Sequence, residues 1–377
     1  MRFEVGEIVH IHSPIDVHTH LREPGGVTKE TINSGTLAAF AGGYQAVFDM
    51  PNNPNGCQTW TEARLDEKYE IAERTSNTKI GFYAGVDLEN PDFEEIPRMI
   101  GKSAGLKLYM GHTTGNTKEH DLGVARPVID AWMEAASEMP VNPPILLHAR
   151  EGVGEETADY ILNRGYPVHW CHISTDSEVD SVTRLLKKDQ ENFTSAITPH
   201  HLTMINRDAD FKYGWLGARM MPPLGREIDA ERLAYAFSSG TIQILETDHA
   251  PHTMEEKIIA ESTNPEGDDS PDCVTCFGIS GIEFVLPVMM SLVQRGIITM
   301  ERLEDSLYYQ PARMLQLDIS DNKARTILEI GPRILGEDEV VSKSRNNPYV
   351  GWTGWAKVRH TYPGFDKGKI LKTGSVL

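Results

Sequence analysis

Short apolar runs bounded by turn-forming residues alternate along this chain with longer stretches whose apolar positions recur every three or four residues. The runs suit strands buried on both faces, and the longer stretches suit helices with one apolar stripe. Their alternation is that of βα units around a parallel sheet. Eight runs are predicted as strands: Ile15–His20, Tyr44–Met50, Lys79–Val86, Ala104–Met110, Pro144–His148, Pro167–Ile173, Thr194–Thr198 and Ile242–Asp248. Helix-like stretches between them include Thr61–Thr75, Pro127–Glu138, Gly154–Arg164 and Asp176–Lys188. Eight strands with intervening helices predict a closed (β/α)8 barrel, since open doubly wound sheets usually have fewer. One domain is expected over residues 1–377, with a barrel core at about 14–320. Glu255–Cys276, rich in acidic residues, Asn and Pro, reads as a long loop after the eighth strand. Residues 281–317 read as helical and the tail 332–377 as irregular with short strands. No internal repeat, low-complexity tract or linker interrupts the pattern.

Polar residues interrupt those strands in a patterned way. His18 and His20 end the first, Lys107 lies in the fourth, His148 ends the fifth, His172 the sixth and Asp248 the eighth. In a barrel the C-terminal strand ends converge on one mouth, where active sites form. A lone histidine at a strand end is usually a satisfied structural residue, but six groups from five strands form a set. His18 and His20 are the strongest members, because residues i and i+2 of a strand share a face and can grip one ion. The rival pair His10 and His12, with no arginine after it, reads as an ordinary edge feature. Lys107 is misplaced inside the apolar run Gly105–Tyr109 unless it snorkels, pairs, or serves chemistry. A neutral amine there reacts with carbon dioxide, and the resulting carbamate is a carboxylate mimic able to bridge two metals. Asp248 can bind a metal through one oxygen and take a proton from water with the other. Histidines and carboxylates with few thiolates suit Zn²⁺ in an open catalytic site.

Composition narrows the partners. The formal net charge is −19 and the sequence pI about 5.2, so nucleic acid and anionic membranes would be repelled. An anionic small-molecule substrate would need a local cation, and Arg22, two residues after the histidine pair, supplies a bidentate fork. Four cysteines give no disulfide framework, which favours a reducing cytoplasm. The opening MRFEVGEIVHIHSP lacks the basic region and apolar run of a signal peptide, and no run of roughly 18 apolar residues exists. Cys273 and Cys276 have a tempting spacing but no complementary pair, so Cys276-Phe277-Gly278 reads as pocket lining. The sequence leaves homo-oligomerisation open. Gly111–Asn116 and Glu255–Asp272 read as mobile loops.

The stretch Asp16-Val17-His18-Thr19-His20-Leu21-Arg22-Glu23-Pro24-Gly25 resembles the signature that opens dihydroorotases of the amidohydrolase superfamily. The resemblance continues through Asp49–Asn53, Gly105–Tyr109, Leu147–Glu151, Cys171–Ser174, Thr198–Leu202, Met221–Leu224 and Thr247–His252. It implies that His18, His20 and Asp248 hold a more buried zinc, that His148 and His172 hold a second, and that Lys107, as N6-carboxylysine, bridges them. It implies further that Arg22, Asn52 and His252 bind a substrate carboxylate, and that Asp248 is the catalytic base. The implied reaction is reversible cyclisation of N-carbamoyl-L-aspartate to L-dihydroorotate, the third step of pyrimidine synthesis.

The pattern departs from many relatives at two places. Ala196 stands where they have Glu two residues before the Thr-Pro-His-His block, so no third metal is expected, and Met221 replaces an Asn. The short segment before the metal pair leaves room for at most a vestigial β-sandwich, built from the first residues and from Gly354–Val358 and Lys367–Leu371. The nearest rival function is another cyclic amidase, allantoinase-like or dihydropyrimidinase-like, which needs no carboxylate clamp. A non-catalytic barrel scaffold is the rival of a different class, and such relatives typically lose metal ligands.

Overall fold

The computed structural model describes residues 3–114, 118–205, 214–263, 276–361 and 368–377. Strands β1 (Ile8–His12) and β2 (Ile15–Thr19) open the chain. Seven more parallel strands follow: β3 (Ala46–Asp49), β4 (Lys79–Phe82), β5 (Leu106–Tyr109), β6 (Ile145–His148), β7 (Val168–Trp170), β8 (Phe193–Ile197) and β9 (Ile244–Leu245). From β2 to β9 each pairs with the next in sequence order, through a single bridge Ala84–Leu106 between β4 and β5. The bridge Thr19–His249 returns to β2 and closes the ring, giving the (β/α)8 barrel that the pattern predicts.

Alternation along each strand fills both sides of the barrel wall. In β6, Ile145 and Leu147 join the cluster that packs against helix residues such as Trp132 and Ala158, while Leu146 joins a second cluster. That second cluster holds Phe48, Tyr83, Cys171, Ala196 and Ile244 and is closed by Tyr308 and Leu315. The barrel is therefore a packed plug whose chemistry is confined to its mouth.

Local sequence sets the helices. Asp176–Lys188 begins with Thr175 and Glu178 as a capping box, carries acids in its first turn and Lys187 and Lys188 in its last, and buries Val179, Val182 and Leu185. Glu151–Leu162 lies so close to β7 that a Cβ on Gly154 would meet Trp170 at 2.3 Å. The helix predicted at Pro127–Glu138 runs instead from Leu122 to Ala136, because Asp121 caps it and Pro127 falls within it.

Two expectations need correction. Met254–Thr263 is a helix, so the loop predicted at Glu255–Cys276 is helical in its first part, and the rest up to residue 275 lies outside the described residues. The C-terminal region also carries longer strands than its composition suggests. Antiparallel β10 (Arg325–Ile334) lies between β1 and β11 (Thr353–Thr361), a three-stranded sheet built from both ends of the chain. Gly354–Val358 belongs to it, but Ile370–Leu371 does not. That pair forms β12, which adds in parallel to β4 on the barrel. Among the described residues the terminal sheet is a single layer. Among the described residues no helix is long and apolar enough to cross a membrane.

Candidate active site

A cavity of about 320 Å³ opens at the C-terminal ends of the barrel strands. Its lining includes His18, His20, Arg22, Asn52, His148, His172 and Asp248, which brings most of the predicted set into one place. The turns that present it are unusual. Arg22, His172 and Asp248 adopt φ of +63°, +33° and +44°, three of only six non-glycine residues with positive φ among those described. Such backbone costs about 1–3 kcal/mol each and persists where the surroundings over-determine it. Gly278 in the cavity wall is required for another reason: at φ +132° a Cβ would meet the Ala250 carbonyl oxygen at 2.4 Å.

One side of the cavity is rich in lone pairs. His20 Nδ1 is 2.7 Å from Asn52 Oδ1 and donates to it, which leaves Nε2 as an acceptor 3.1 Å from Asp248 Oδ1. His18 presents Nδ1 to Glu246 Oε1 at 3.0 Å and Nε2 to the same Asp248 oxygen at 3.4 Å. Burial holds both imidazoles below their ordinary pKa, so both are neutral at pH 7. Two imidazole acceptors thus converge on a carboxylate, an arrangement that a cation stabilises. Burial also pushes the Asp248 carboxyl up, although His18, Lys107 and Arg22 pull it down.

The second pair is similar. His148 donates from Nε2 to the His112 carbonyl at 3.0 Å and turns Nδ1 to His172 Nε2 at 2.9 Å. Burial, with help from Lys107, holds His148 down to about 3. His172 is likewise held well below its ordinary value. Lys107 is buried, and its ammonium donates to Cys171 Sγ at 2.9 Å. Its positive charge lowers all four histidines, so an unmodified lysine opposes a metal here and a carbamate would reverse the sign. Neutral imidazoles and carboxylates in a buried, three-sided arrangement fit Zn²⁺.

The other side is rich in donors. Arg22 Nε donates to the Pro251 carbonyl at 3.3 Å, and Nη2 lies 3.2 Å from His252 Nε2. Lys29 Nζ reaches His252 Nδ1 at 3.3 Å and pairs with Glu256 at 3.2 Å. The structure therefore brings His252 to Arg22, though His252 stands behind the cavity wall and does not line it. His10 and His12 do not line the cavity. His12 stacks on Tyr308 at 4.5 Å and pairs with Glu304 at 2.6 Å.

Several participants carry no clear sequence signal. Lys29 is one charge in a turn. Thr113 and Thr114 reach the cavity from a loop, and Thr114 Oγ1 donates at 3.1 Å to the carbonyl of Phe277, which lines the cavity with Gly278 as the sequence predicts. Met221 lines the wall, while Cys276 is buried beside Lys29 and Cys273 lies outside the described residues. Glu246 was detectable: it stands two residues before Asp248, the spacing that singles out His18 and His20.

A closed parallel barrel with clustered histidines and a carboxylate at its mouth is an arrangement able to hold a metal ion. Solved structures share the fold, among them dihydropyrimidinase from Brevibacillus agri, with TM-score 0.81 and 16% identity over 98% of this chain and 89% of that one. An inactive dihydroorotase-like domain of a CAD-like protein from Chaetomium thermophilum gives TM-score 0.71 and 18% identity over 98% and 99% of the two chains. Residues 8–107 match the dihydro-orotase-like family model. A dihydroorotase from Halalkalibacterium halodurans is 31% identical across 90% of this chain and 83% of its own length. The multifunctional protein CAD of Squalus acanthias is 30% identical over 94% of this chain, which spans 14% of that longer protein. The chain belongs to the dihydroorotase family, whose members are hydrolases of cyclic amides.

Proposed function

We propose that this protein catalyses the reversible hydrolysis of L-dihydroorotate to N-carbamoyl-L-aspartate. The observation that carries the proposal is the pairing, in one cavity, of a buried histidine–aspartate cluster with a guanidinium. The first suits a metal-assisted attack on an amide, and the second suits a substrate carboxylate. The barrel of residues 14–320 is the catalytic unit, with the terminal sheet as an attachment. Among the described residues no disulfide joins Cys57, Cys171 and Cys276, which suits a reducing cytoplasm.

His18, His20 and Asp248 would hold one Zn²⁺ and His148 and His172 a second, with Lys107, as its carbamate, supplying a further ligand. When bound, the ions supply Lewis-acid polarisation of the amide carbonyl and make water a better nucleophile near neutral pH. Asp248 accepts the proton of the attacking water and delivers it to the leaving amide nitrogen. Its tight turn at φ +44° fixes the carboxylate between His18 and His20, where this transfer is short. Arg22 and Asn52 grip the substrate carboxylate, while His252, behind the cavity wall, steadies the Arg22 guanidinium rather than touching substrate as the resemblance implies. Position is thus set before chemistry.

Zinc content and turnover measured together test the proposal, with dihydroorotate compared with allantoin and dihydrouracil. Near two zincs per chain and a clear preference for dihydroorotate are expected. Equal turnover of dihydrouracil would put a neutral cyclic amide in its place, and zinc-free, inactive protein would favour the scaffold.

A further inference from the structure

Glu246 is completely buried in the wall beneath the histidines, and three groups meet its carboxylate. Oε1 accepts from the His172 backbone N–H at 2.7 Å and lies 3.0 Å from His18 Nδ1. Oε2 is 3.4 Å from His169 Nε2, whose other nitrogen meets Thr194 Oγ1 at 2.9 Å. The Glu246 N–H is tied to the Ile197 carbonyl of β8 at 3.0 Å, so the residue itself is fixed. On the neighbouring strand Ala196, in register with Ile244, offers no acid of its own.

We propose that Glu246 is the positioning residue of the histidine cluster: its one carboxylate fixes which nitrogen His18 offers to a metal and pins the turn that aims His172. A neutral histidine carries its proton on one nitrogen only. With the Glu246 carboxylate 3.0 Å from Nδ1 and Asp248 on the Nε2 side, a proton carried on Nδ1 is the arrangement that leaves Nε2 to face a cation. The same oxygen holds the His172 amide, where the backbone sits at φ +33°, a conformation that needs an outside partner to persist. His18 belongs to one proposed zinc set and His172 to the other, so Glu246 links the two.

This inference rests on the metal ligands proposed above. It is tested on metal-free and zinc-titrated protein for the wild type, Glu246→Ala and the isosteric Glu246→Gln. Loss of a carboxylate behind a ligating histidine typically costs about 10- to 100-fold in metal affinity. That loss is expected for Glu246→Ala against a competing chelator, with a smaller one for Glu246→Gln. In metal-free protein, long-range ¹H–¹⁵N spectra should show His18 protonated on Nδ1 in the wild type and mixed or Nε2-protonated in both variants. A purely structural role would lower the melting temperature without changing the tautomer. Unchanged zinc affinity and an unchanged His18 tautomer in folded Glu246→Ala, or in Glu246→Gln if the alanine variant does not fold, would overturn the inference alone. Wild-type protein that binds no zinc would overturn it together with the ligand assignment.

Discussion

The two sides of the cavity present opposite chemistry to the same small volume. On the histidine side every ring is neutral, with one nitrogen of His18, His20 and His148 committed to a carboxylate, an amide oxygen or a backbone carbonyl. The remaining lone pairs face inward. On the Arg22 side the exposed capacity is donor capacity: a guanidinium and an ammonium flank His252, with Glu256 as the nearby acid. A cation is drawn to the first side and an anion to the second, although the whole chain carries −19. Local desolvated groups therefore decide what binds, because water and salt screen the distant charges. The difference also separates two functions. Under the proposed function, the acceptor side would serve bond breaking and the donor side would select a substrate that carries a carboxylate.

Substitutions that strike one side and spare the other test this division. Lys107→Ala should have the largest effect, with loss of at least one metal and nearly all activity. Short carboxylic acids should restore part of both by taking the place of the carbamate. Full activity in that variant would remove the carbamate from the acceptor side. Asp248→Asn keeps the shape and removes the proton acceptor, so turnover should fall by roughly 10²–10⁴. Metal content measured on the same samples separates loss of the base from loss of a ligand, and wild-type turnover with both metals present would refute the assignment.

Arg22→Met should act on the donor side alone. A lost charge-assisted contact is worth about 1.5–3 kcal/mol, which corresponds to roughly ten- to a hundredfold in kcat/KM for dihydroorotate. Arg22→Lys should recover part, since a point charge cannot reproduce the planar fork. Zinc content should match wild type in both. If Arg22→Met retained full efficiency with intact zinc, the two sides would not be functionally distinct, and a neutral cyclic amide would become the better substrate.

Periodicity located all eight barrel strands and put His18, His20 and His148 at their C-terminal ends, whereas His172 and Asp248 lie in the turns just beyond β7 and β9, which are shorter than predicted. Strand burial and alternation are local properties, and the rule that a barrel's strand ends converge supplies the rest. The helix at Met254–Thr263 was hidden by its many polar residues, which read as loop. Strand β10 was hidden because its partners come from the opposite end of the chain.

What the sequence determined by itself, then, is the order of the elements and the kind of chemistry at the mouth. Residue type and spacing along one strand are enough to fix which side chains share a face. Only the tertiary structure decided that His252 meets Arg22 and Lys29, 230 and 223 residues away, and that Glu246 stands behind both His18 and His172. It also decided which imidazole nitrogen is free. Those outcomes depend on closure of the ring between β2 and β9 and on the burial that keeps each histidine neutral. Neither closure nor burial is written in any local stretch of residues.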